Sequence, residues 1–220
     1  HPGIFRDFIK RDGIETHTVE LDEGDSIPDL KSFDAMIVMG GPMDTWQEDE
    51  YPWLVSEKES IYEFTCIQKK PYLGLCLGAQ LLGEVIGADV RKMEAPEIGA
   101  LKVDILDHDS IFMNMPNEIK VLQWHSYEVS NLPAEAKLLA SSKECLVQAF
   151  SYKKAFGLQF HVEQTETTVS EWGCVPEYKL ALEETLGKNV LKKFEEDINC
   201  NLIDFNKKAE QIYNNFLQVF

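Results

Sequence analysis

The stretch PYLGLCLGAQLLGEVIG, residues 71–87, changes its hydrophobic period halfway along. Up to Leu75 it is a short apolar run of the kind that fills a buried strand, whereas residues 77–86 carry their apolar side chains at helical spacing. Cys76 stands at the junction, with Gly74 and Gly78 two residues away on either side. A strand that turns abruptly into a helix strains the residue at the corner and pushes its side chain out at the carboxyl end of the sheet; the crowded flanking positions then suit glycine. The same turn sets Cys76 at a helix N-terminus, where unpaired N–H groups favour a thiolate. The N–H of Leu77 would face a substrate's carbonyl oxygen. Taken alone, the pattern fits a buried structural cysteine equally well.

Strand and helix patterns alternate around this unit. Residues 3–12 repeat apolar side chains as a helix does, 15–21 alternate like a strand, and 33–39 form an apolar run that ends at Gly40-Gly41-Pro42. Residues 50–69 read as a helix and 71–75 as the next buried strand. From Gly99 the pattern shifts to shorter strands at 100–105, 120–123, 137–141, 146–152 and 155–161, several joined by short turns, so an antiparallel portion is expected. The charged tail, 176–220, reads as two helices with a break near 187 that cover the sheet. The fold expected is α/β: a three-layer sandwich with a mostly parallel central sheet, a small antiparallel extension and a helical C-terminal tail, all in one domain over 1–220.

Composition narrows the function classes. Twenty-one Lys and Arg against thirty-eight Asp and Glu give a net charge of −17, which would repel a nucleic-acid backbone. Five cysteines form an odd set without CxxC spacing, which speaks against a disulfide framework and a structural zinc site. No membrane span or signal peptide is visible, so a cytoplasmic protein is the expectation. Neither a metal nor an organic cofactor is called for.

A cysteine nucleophile needs a base and a group to orient it. In FGLQFHVEQ, residues 156–164, His161 falls at the end of an apolar strand. Residues i and i+2 of an extended chain face the same side, so Glu163 can accept a hydrogen bond from one imidazole nitrogen and leave the other for the thiol proton. His1, His17, His108 and His125 lack that arrangement.

GLCLGAQ at 74–80, GLQFHVE at 157–163 and GGP at 40–42, together with MGGPMDTW, APEIGALKV and WHSYEV, resemble the class I glutamine amidotransferases, particularly free-standing proteins similar to the amidotransferase domain of GMP synthase. The resemblance spans nearly the whole chain. It implies that Cys76 attacks the γ-carboxamide of glutamine, that the N–H groups of Leu77 and Gly41 stabilise the oxyanion, that His161 moves the proton and that Glu163 orients it. Gly40 and Gln80 match substrate-contacting positions, and the backbone of His125, Ser126 and Tyr127 matches the segment that grips the α-amino and α-carboxyl groups. Trp46, Tyr51 and Trp53 are candidates for an acceptor-side surface or for local packing. Such a family normally begins with a strand before its first helix, so that strand is expected to precede residue 1. No GxxxxGK[ST] phosphate loop of a synthase portion is present. The partners expected are therefore glutamine or another γ-glutamyl compound and a separate synthase subunit, the candidate acceptor of the ammonia. A γ-glutamyl peptidase or transferase using the same three residues is the alternative, and a non-catalytic binding or regulatory protein a third reading.

Overall fold

The computed structural model describes residues 2–220. From the amino end the chain forms α1 (Phe5–Arg11), β1 (Met36–Val38), α2 (Trp53–Tyr62) with a π-helical turn at Glu63–Ile67, β2 (Tyr72–Leu75) and α3 (Leu77–Val85). It continues as β3 (Asp89–Ile105), β4 (Glu118–Ser130), β5 (Lys137–Ser141), β6 (Ala149–Tyr152) and β7 (Ala155–Leu158). Four helices follow: α4 (Thr168–Trp172), α5 (Pro176–Leu186), α6 (Leu191–Asn199) and α7 (Leu202–Leu217). The strands make one mixed sheet in the order β1-β2-β7-β6-β5-β3-β4. β1, β2 and β7 run parallel; the remaining neighbours pair antiparallel.

Period-two alternation explains why β2 and β7 read as unbroken apolar runs. Leu73, Leu75, Phe156 and Leu158 face a core completed by Phe5 of α1 and by Ala209, Ile212 and Phe216 of α7. Tyr72 and Ala155 face the opposite core, with Leu54 and Ile61 of α2 and Leu81 and Leu82 of α3. Helices thus cover both faces, so every position of both strands is buried and must be apolar or glycine. A third cluster binds α5 and α6 to the long antiparallel pair through Ile98, Leu122, Trp124, Leu182, Phe194 and Ile198.

Three local expectations change. Residues 15–21 form no strand: their side chains are mostly exposed, so their alternation has no face to bury. The antiparallel portion is longer than the segments at 100–105 and 120–123 implied, because β3 and β4 pair from Asp89↔Ser130 to Asp104↔Glu118 across a register shift between Lys92 and Glu97. Charged residues such as Arg91, Lys92 and Glu94 on the exposed side of β3 hid its length. The tail folds as α5, α6 and α7. Besides the break at Gly187, the chain breaks again where the Asn201 side chain donates to the Asp197 carbonyl at 2.8 Å. Among the described residues no helix is long and apolar enough to cross a membrane.

The parallel core closes tightly around the strand–helix turn. A Cβ placed on Gly78 would lie 2.3 Å from the carbonyl oxygen of Val38 in β1, and the Tyr72 hydroxyl donates to the Gly78 carbonyl at 2.8 Å. Gly78→Ala is therefore expected to push α3 off β1 and to destabilise the protein by about 1–3 kcal/mol, the usual range for overpacking. The shift of the urea unfolding midpoint measures it; an unchanged midpoint would mean that β1 yields freely.

Candidate active site

The corner at Cys76 adopts φ 50° and ψ −105°, a conformation that L-residues avoid. Its own N–H donates to the Leu158 carbonyl at 2.8 Å, which ties the turn to the end of β7. Three residues farther on, His161 exchanges two backbone hydrogen bonds with Leu122 of β4, at 2.9 and 3.2 Å. The base is thus held by the antiparallel part of the sheet while the thiol is held by the parallel part. Gly40, at the end of β1, completes the convergence: a Cβ there would lie 3.1 Å from His161 Cε1 and 3.3 Å from Cys76 Cβ. Only a residue without a side chain lets the three segments meet this closely.

Glu163 Oε1 accepts a 2.7 Å hydrogen bond from His161 Nδ1, and Oε2 accepts the N–H of Val162 at 2.9 Å. That tautomer leaves Nε2 for the Cys76 sulfur. Both side chains are almost fully buried. Burial alone would lower the pKa of His161, but the Glu163 carboxylate and the Cys76 sulfur outweigh it and raise it to about 10. Burial would likewise raise Glu163, yet the imidazole and two backbone N–H groups hold it below the ordinary carboxylate value. The carbonyl of Glu163 also accepts the N–H of Ile4 at 2.9 Å, so the start of α1 braces the pair from behind.

The remaining expected residues divide into two groups. Gly41 and Leu77 are neighbours, since a Cβ on Gly41 would lie 3.0 Å from Leu77 Cδ2. Gln80 is buried, and its amide donates to the Tyr127 carbonyl at 3.2 Å and to Gln159 Oε1 at 3.1 Å. The His125 ring faces away from the thiol: Nδ1 donates to the Tyr127 carbonyl at 2.9 Å and Nε2 lies 3.2 Å from Glu97 Oε2. Glu97 in turn accepts from Ser142 Oγ at 2.7 Å and from Gln148 Nε2 at 2.6 Å. This buried polar network fixes the backbone of 125–127, the part of that segment the sequence singled out, and leaves Ser126 partly exposed. Trp46 stands edge-on to Tyr127 with ring centroids 4.9 Å apart, whereas Tyr51 and Trp53 pack on the core beside α2 and α3.

Sequence reasoning passed over three residues near the thiol. Gln159 Nε2 lies 3.7 Å from Cys76 Sγ; it shares the alternation of His161 and Glu163, and a buried glutamine on that face was the available signal. Trp172, at the end of α4, sets its ring edge-on to His161 with centroids 4.6 Å apart. Tyr178, in the first turns of α5, packs on Trp172 and Trp124 at 5.8 and 5.7 Å. Both line a cavity of about 90 Å³ with Gly40, Gly41 and Glu163. Nothing in the spacing of the tail pointed there.

Known proteins of similar sequence and structure share these features. The family described as "Glutamine amidotransferase class-I" matches residues 4–171. The chain is 35% identical over 162 residues to a Sulfolobus acidocaldarius protein named as a glutamine-hydrolysing subunit of GMP synthase, covering 72% of this chain and 81% of that one. The protein of the same name from Thermoplasma acidophilum is 33% identical over 157 residues, 70% of this chain and 74% of its own. A crystal structure of a glutamine amidotransferase from Thermotoga maritima superposes with a TM-score of 0.87 at 27% identity, over 97% of this chain and 91% of that one. With the match covering the whole strand–turn–helix unit, both glycines of the β1 loop and the His161–Glu163 strand end, the chain belongs to the class I glutamine amidotransferases.

Proposed function

We propose that the protein hydrolyses the γ-carboxamide of L-glutamine through Cys76, His161 and Glu163 and passes the ammonia to a separate synthase subunit. The observation that carries this reading is the convergence of a strained cysteine at a helix start with a buried histidine already bonded to a carboxylate. Relatives whose names make them one subunit of GMP synthase support a partner on another polypeptide.

The Cys76 sulfur, as thiolate beside the His161 imidazolium, adds to the amide carbon, and the carbonyl's π electrons move to its oxygen. The N–H groups of Leu77 and Gly41 are the donors available to that oxyanion, and one such donor contributes about 3 kcal/mol to the transition state. When the C–N bond breaks, its electron pair stays on nitrogen, which takes the proton from His161 Nε2 and leaves as ammonia. A water then gives its proton to His161, attacks the γ-glutamyl thioester and frees glutamate and the thiolate. Glu163 keeps the imidazole in the tautomer that both halves need. The backbone of 125–127, fixed from behind by the Gln80 and His125 side chains, is read as the grip on the amino-acid end of the substrate.

Three outcomes are expected. With purified protein, glutamine and the cognate synthase, ammonia release is lost in Cys76→Ala while the thermal unfolding profile keeps its cooperativity; release that survives this substitution sinks the proposal. Glu163→Gln, which keeps the shape but not the charge, lowers kcat by about three to four orders of magnitude with little change in KM. The third concerns stability. His161 has a folded-state pKa raised from 6.5 to about 10, so its contribution is complete below pH 6.5 and is lost as pH rises towards 10. Urea unfolding across that window should show wild type losing stability faster than His161→Gln; parallel profiles would contradict the assigned ion pair.

A further inference from the structure

We propose that Trp172 and Tyr178, contributed by the helical tail, form the wall against which the leaving nitrogen sits, and that this wall restricts the enzyme to an unsubstituted γ-carboxamide. The inference rests on the hydrolytic reading above and assigns its substrate selectivity to residues that lie beyond the matched family region, which ends at 171.

The leaving nitrogen carries away a proton from His161, so at the moment of C–N cleavage it lies within hydrogen-bond reach of the imidazole. Any substituent on that nitrogen has to continue past the His161 ring. One flank of the ring is closed by Trp172, edge-on at 4.6 Å. The space beside it is the cavity of about 90 Å³ bounded by Gly40, Gly41, Glu163, Trp172 and Tyr178. Pockets that hold drug-sized ligands start at roughly 300 Å³. The cavity therefore admits ammonia or water and excludes an amino-acid residue or an aryl group. The amino-acid end of the substrate is served by other residues, Gln80, Gln159 and Tyr127, none of which borders this cavity.

The wall is also rigid. The Trp124 indole N–H donates to the Tyr178 carbonyl at 3.3 Å, and Trp124 packs on Trp172 and Phe194 with centroids at 5.9 and 5.0 Å. Trp124 belongs to β4, the strand that also holds His161 through Leu122. Aromatic anchors fixed to the same strand as the base keep a constant distance from it. Burial also raises the pKa of the Tyr178 hydroxyl well above its ordinary value, so the phenol stays protonated and the wall carries no charge of its own.

The experiment compares hydrolysis of glutamine and of γ-glutamyl anilide by wild type, Trp172→Ala, Tyr178→Ala and Tyr178→Phe. Trp172 touches His161, so turnover itself can fall; the readout is the ratio of kcat/KM for the anilide to that for glutamine. We expect that ratio to rise by about tenfold or more in both alanine variants and to stay within about twofold in Tyr178→Phe, which keeps the ring. A ratio unchanged in the alanine variants, or a wild type that cleaves the anilide as readily as glutamine, overturns the assignment. Alkylation of Cys76 gives a readout that needs no turnover: wild type should react faster with iodoacetamide than with its N-phenyl derivative, and the alanine variants should lose that preference. A preference retained in those variants overturns the wall even if glutamine is not a substrate; absent glutamine turnover with the preference lost in the variants sinks the hydrolytic reading alone. Should an alanine variant unfold, Trp172→Leu and Tyr178→Leu carry the same expectations.

Discussion

The backbone at Cys76 is held where an L-residue gains nothing by being, at a cost of about 1–3 kcal/mol. Such a conformation persists only if the surroundings allow no other. Here the Leu158 carbonyl holds the Cys76 N–H, the Tyr72 hydroxyl holds the Gly78 carbonyl, and the backbones of β1 and α3 touch where Gly78 lacks a side chain. Each of those contacts requires β1, β2 and β7 to lie in parallel register, Val38 beside Gly74 and Gly74 beside Gly157. The apolar burial on both sheet faces is what sustains the strain, and the strained corner is what points the sulfur at the imidazole. Stability and reactivity are here one arrangement seen from two sides.

Electrostatics within the site depend on the same burial. In water a histidine and a glutamate would attract each other weakly; taken out of water they hold one proton between them strongly enough to keep the imidazole charged far above neutrality. The second buried pair, His125 and Glu97, lies in a network with Ser142, Gln148 and Gln123. Every member but one donates towards a carboxylate, a carbonyl or an amide oxygen, and the network stiffens the backbone of 125–127 rather than meeting a ligand. A strongly acidic surface surrounds both pairs, but neither draws its charge balance from it.

Much of this was legible in the chain itself. Residues 71–87 announce the turn because strand and helix periods differ and glycine is the only residue that fits both flanks; His161 and Glu163 announce themselves through two-residue spacing at a strand end. Where reading failed, the cause was tertiary. Residues 15–21 alternate without any sheet face to receive them, while β3 carries charges along an exposed side and so conceals its length. Gln159 sits on the His161 face of an extended segment, yet an amide among apolar neighbours signals burial without naming its partner. Trp172 and Tyr178 reach the thiol only because α4 and α5 fold back over β4, and no local pattern encodes that return.

His161 is fastened to β4 by two backbone hydrogen bonds with Leu122, and two residues farther along the same strand begins Trp124-His125-Ser126-Tyr127. The base, the grip on the substrate's amino-acid end and the aromatic anchor of the tail therefore share one ladder of backbone bonds. A fluctuation that opened this ladder would release all three together. The site consequently has no half-assembled form that binds without reacting or reacts without binding: its competence is a single cooperative property of β4, present or absent as a whole.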